Sequence, residues 1–74
     1  MKYKVGDMFL IHHGNSYSRG ILTEIEVYDT DQPDGYHIAW FDNMISGQSF
    51  RKVGYNAYEI RDNLTTGRWQ HCPL

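Results

Sequence analysis

The chain has 74 residues, 41% of them hydrophobic, and a net charge of −2 with the histidines neutral. That length makes one domain, residues 1–74, with a narrow stability margin, because a chain of about 60 residues buries only about 60% of the surface it exposes when unfolded. The near-neutral charge disfavours non-specific nucleic-acid binding, which draws on phosphate neutralisation, and no apolar run approaches the ~20 residues of a membrane span.

Val5-Gly6-Asp7 reads as a turn entry, and Phe9-Leu10-Ile11 centres a first strand over about 7–13. Gly14-Asn15-Ser16 ends it with residues that tolerate turn geometry. The second strand is the longest, over about 19–29. Ile21, Thr23, Ile25 and Val27 alternate there with Leu22, Glu24, Glu26 and Tyr28, so the first set is expected to face the core and the second to be wet. Asp31-Gln32-Pro33-Asp34-Gly35 is the clearest turn signal, since proline presets φ and Asp-Gly supports the left-handed position. Tyr36 to Phe41 resumes the sheet with apolar residues on both faces, which predicts a central strand. Asp42-Asn43 turns again, and a fourth strand covers about 48–53 between Gly47 and Gly54.

Asn56 then reads as a helix N-cap and Glu59 as its partner three residues later, the two halves of a capping box. Ala57, Ile60 and Leu64 recur at helical spacing, and Gly67 suits the C′ position. A hairpin with Thr65-Thr66-Gly67 at its tip is the rival reading of so short a segment. A last strand over about 68–72 ends at Pro73. The expected core is Phe9, Ile11, Ile21, Ile25, Val27, Ile38, Trp40, Phe50, Val53, Ile60, Leu64 and Trp69.

Five strands with a short helix between the fourth and fifth resemble an SH3-like barrel, the group that includes SH3, Tudor and KOW-type modules. The features that carry the resemblance are Val5-Gly6-Asp7, Arg19-Gly20-Ile21 entering the long strand, the acidic loop, and Tyr36-His37-Ile38-Ala39-Trp40 in the third strand. The dense acidic–aromatic pattern of a proline-peptide-binding SH3 domain is missing, and no KOW motif is convincing. The resemblance implies a mainly β barrel acting as a binding module. The short lone domain rich in Tyr, Asn and Gly is also similar in style to bacteriophage accessory proteins, which implies an accessory or host-interaction role.

Chemistry-bearing constellations are sparse. Cys72 is the single cysteine, so no disulfide forms within the chain; with no signal-peptide pattern, a reducing, cytoplasmic setting is expected. His12-His13 with His71-Cys72 is the one metal-like set, joined by His37 if the strands allow. Adjacent histidines on a strand point to opposite faces and no Cys-x₂-Cys or His-x₃-His spacing is present, so these read as rim residues and no metal or other cofactor is expected. Asp7, Asp34 or Glu59 beside a histidine is too common a pairing to indicate acid–base catalysis. The chain reads as a non-enzyme.

Binding is the larger class. Charge falls in blocks: +2 over 1–23, −6 over 24–42 and +2 over 43–74. Tyr17, Tyr28 and Tyr36 with Glu24, Glu26 and Asp34 are the expected partner-binding residues of a protein–protein interaction module, with a homodimer within that reading. An aromatic cage from Tyr17, Tyr36 and Phe41 with Asp34 or Asp42 is a narrower form of it. The alternative is a nucleic-acid face of Arg51, Lys52, Arg61 and Arg68 with Tyr55 and Tyr58 as stacking groups.

Overall fold

The computed structural model describes residues 3–28, 34–42 and 49–74. Its elements are β1 (Met8–His13), β2 (Ser16–Glu26), β3 (Gly35–Asp42), β4 (Ser49–Asn56), α1 (Ala57–Thr65) and β5 (Trp69–Cys72). All five strands form one antiparallel sheet in the order β4-β3-β2-β1-β5. The described residues are thus mainly β with one helix between the last two strands. Among the described residues the sheet does not close: β4 and β5 end the order and each has one strand neighbour. The expected turn over 31–33, the turn at Asn43 and the Gly47 bracket lie outside the described residues, as does the side chain of Phe50.

β1 and β2 join through a two-residue loop, since His13 pairs with Ser16. Gly14 takes φ +64 and Asn15 does not share the positive sign, the pattern of a type II′ turn. Asn56 accepts from the Glu59 amide at 2.8 Å and its own amide donates to Glu59 Oε1 at 2.9 Å. The capping box is therefore complete, and it decides for the helix over the hairpin. Gly67 follows at φ +80. Gly54 does not end β4; the strand continues through it to Asn56 and passes directly into α1.

The core lies on the concave side of the sheet, under α1: Phe9, Leu22, Tyr36, Ile38, Trp40, Ile60 and Trp69. Tyr55 of β4 and Trp69 of β5 come from opposite ends of the strand order, yet their rings meet at 4.9 Å. Trp40 lies 5.1 Å from Trp69 and donates from Nε1 to the Tyr55 hydroxyl at 2.8 Å. The sheet is curled tightly enough for its two edges to share one aromatic cluster.

The expected facing of β2 needs a correction. Leu22 is 0% exposed, whereas Ile21 is 38% exposed and Val27 73%. Val27 lies past the end of β2 at Glu26, and a bulge accounts for the opposite facing of Ile21 and Ile25 within the strand. Leu22 pairs with Ile38 and Glu24 with His37, which leaves Thr23 without an opposite residue. The Thr23 hydroxyl donates to the His37 carbonyl at 3.1 Å. Uninterrupted alternation assumes one facing for the whole strand, but the extra residue reverses it midway. Ser18, Gly20 and Leu22 face inward before the bulge, and Ile25 after it.

Candidate functional site

The bulge sets the site as well as the core. Had β2 stayed in register beyond Leu22, Glu24 and Glu26 would share the facing of Leu22 and point at the core. The extra residue turns both outward, so that Glu24 lies opposite His37 and Glu26 opposite Gly35. β3 pairs on its other side with β4, where Gly35 faces Asn56, Tyr36 faces Tyr55 and His37 faces Gly54. The helix is tied to the same corner: the Ala57 amide donates to the Asp34 carbonyl at 3.0 Å.

These elements enclose an open groove of about 400 Å³ lined by Glu26, Tyr28, Tyr36, His37, Tyr55 and Glu59, with Gly35, Gly54 and Asn56 completing its wall. Neither Lys nor Arg lines it among the described residues. Tyr28 donates its hydroxyl to Glu26 Oε2 at 2.7 Å, and His37 Nε2 pairs with Glu26 Oε1. The Tyr28 bond and then the His37 bond hold the Glu26 carboxyl below its ordinary pKa, so it stays ionised at neutral pH. The same bond, with burial and the carboxylate's charge, pushes the Tyr28 phenol up and keeps it a donor. Burial first, then the Asp34 charge, raises Tyr36. Tyr55 is raised by burial, partly offset by its bond from Trp40.

Of the expected partner-binding residues, Glu26, Tyr28 and Tyr36 line the groove, with Glu24 beside it on β2 and Asp34 at the entry of β3. Tyr36 is 1% exposed and belongs to the core, reaching the groove from beneath. Tyr17 sits across from His12 at the far end of β2. The aromatic cage is not assembled: Tyr36 and Phe41, five positions apart on one strand, face opposite sides, and Tyr17, a diagonal neighbour of Phe41 across the β2–β3 pair, is remote from Tyr36.

The residues of the nucleic-acid alternative are dispersed. Arg51 and Lys52 are adjacent on β4 and point to opposite faces. The Arg61 guanidinium lies 5.2 Å from the Tyr58 ring centre, and Arg68 Nε donates to Asn63 Oδ1 at 3.0 Å. Tyr55 is half-buried against Trp40 and Trp69. The His12, His13, His71, Cys72 set does not assemble either. His71 and Cys72 pair with Phe9 and Met8, while His12 and His13 lie beyond the end of the β1–β5 ladder. His71 Nε2 instead bonds Asp7 Oδ2 at 2.8 Å.

Ligand atoms for a metal gather elsewhere among the described residues: Glu24, Glu26 and His37 each place one within 4.8 Å of the others. Sequence reasoning missed this set, along with Glu59, Asn56 and Gly54 as groove residues. The Glu24-x-Glu26 pair on a strand is a readable signal, but its pairing with His37 depends on the bulge. No family model, curated protein or solved structure matches the chain. No helix among the described residues is long and apolar enough to cross a membrane.

Proposed function

We propose that this chain is a non-catalytic protein-interaction module that receives a basic segment of a partner protein in the groove where β2, β3, β4 and α1 meet. The make-up of that groove carries the reading: two carboxylates beside the exposed Tyr28 and the half-buried Tyr55, over a floor of buried Tyr36, with no Lys or Arg among its described lining. A Lys or Arg side chain has an apolar stem and a cationic end, and aromatic faces beside carboxylates complement both parts. Glu26 is already aligned by Tyr28 and His37, so little side-chain ordering remains to oppose binding. β4 offers an edge beside the groove to which an extended segment can add as a further strand.

The curled sheet is, in this reading, an SH3-like barrel. The strand order, the helix between β4 and β5, and the meeting of Tyr55 with Trp69 support that assignment. The nucleic-acid alternative has weaker support, because its basic residues are spread over both faces of β4 and along α1.

Affinity capture from the native lysate tests the function, using the wild-type chain and the Glu26→Lys and Tyr28→Ala variants, with and without nuclease. The expected result is a protein retained after nuclease and released by both substitutions. Retention unchanged in both variants, or complete loss to nuclease, overturns the reading.

A further inference from the structure

Glu24, Glu26 and His37 stand together on the outer face of the sheet because of three features of the backbone. The bulge at Thr23 turns both glutamates out of the core and sets Glu24 opposite His37. Glu26 is opposite Gly35, where an added Cβ would lie 3.2 Å from the Tyr28 hydroxyl; the missing side chain gives Tyr28 its place against Glu26. His37 is opposite Gly54, where an added Cβ would lie 3.6 Å from its ring, so the imidazole lies over bare backbone. Two strands, a bulge and two glycines thus converge on one mixed imidazole–carboxylate set.

We propose that Glu24, Glu26 and His37 bind one divalent transition-metal ion of the Zn²⁺ class, with the remaining coordination positions taken by water. Imidazole favours zinc and its neighbours in the first transition row over magnesium and calcium, and the carboxylates neutralise the ion's charge. A tetrahedral zinc site has ligand bonds of about 2.0–2.2 Å, which places its ligand atoms roughly 3.4 Å apart. The three atoms here lie within 4.8 Å of one another, so a change of rotamer at the exposed Glu24 is enough to bring them to one ion. His37 Nε2 and Glu26 Oε1 already face each other, and the metal takes the place of the proton between them. The Tyr28 hydroxyl holds the other Glu26 oxygen, as supporting hydrogen bonds commonly do around metal carboxylates.

The inference does not rest on the basic-segment reading and is tested without any partner. Zinc chloride is titrated calorimetrically into the full chain on a Cys72→Ser background, which removes the strongest competing ligand, while the histidine ring resonances are followed by NMR. The expected result is one equivalent bound, a shift of the His37 ring alone, and at least about ten-fold weaker binding in Glu24→Gln and in His37→Gln. Glu24 is exposed, so its variant tests the site without depending on the core. No saturable binding at millimolar zinc, affinity unchanged in Glu24→Gln, or shifts at His12, His13 or His71 in place of His37 overturns the proposal.

Discussion

Asp7 is an ionisable side chain only 2% exposed. Its carboxylate accepts from the Lys4 amide at 3.0 Å, the Leu74 amide at 2.9 Å and His71 Nε2 at 2.8 Å, fastening the end of β5 to the turn before β1. Burial pulls its pKa up, but the His71 bond and the two amides more than offset this, and the net shift is downward. A lowered folded pKa contributes stability that is complete above the unfolded value of about 3.9 and is lost as pH falls through the folded value. Denaturation midpoints measured against pH are therefore expected to drop below about pH 4. Asp7→Asn is expected to flatten that acid limb and to cost about 1–3 kcal/mol at neutral pH, because an amide turns donors toward donors. Gly20 acts through space alone: it lies opposite Trp40, and an added Cβ would come within 2.5 Å of the indole. Gly20→Ala is expected to destabilise by about 1–3 kcal/mol in urea titration, through displacement of Trp40.

At the scale of elements, β2 decides both the core and the site. Leu22→Ala is expected to cost about 2–5 kcal/mol and Ile21→Ala less than about 1 kcal/mol, a comparison that reads the facing directly. The reverse order would place the bulge elsewhere. Strand existence was legible in the sequence because apolar alternation and turn residues bracket each strand. The bulge was not, since Thr23 and Glu24 carry no mark that separates a bulge from regular pleat; unbroken alternation therefore puts Ile21 in the core in place of Leu22, while Val27 is exposed because β2 ends at Glu26. Helix α1 was readable at both ends from Asn56, Glu59 and Gly67, residues whose roles are local and need no tertiary context. Asn56→Ala is expected to cost about 1 kcal/mol of stability by thermal or urea denaturation. For the site, Glu24, Glu26, Tyr28, Tyr36 and Asp34 were legible as an acidic–aromatic group. Their gathering at one corner was not, because it depends on how β3 pairs with β2 and β4 together.

Across the whole molecule, curling places the two sheet edges against one aromatic core. The acidic corner holds the groove, with Glu26 and Glu59 in its lining. A separate depression on the outer face, about 290 Å³ and lined by Met8, Arg19, Ile21 and Phe41, is mainly apolar and serves as an internal comparison. Partner chemistry should discriminate between the two. The decisive measurement is an NMR titration of the isotopically labelled chain with a short Lys- and Arg-rich peptide, and with an acidic peptide of equal length. Saturable amide shifts centred on Glu26, Tyr28, His37, Gly54 and Asn56 are expected with the basic peptide only. Shifts centred on Met8, Arg19 and Ile21, equal responses to both peptides, or no saturable response would contradict the basic-segment reading.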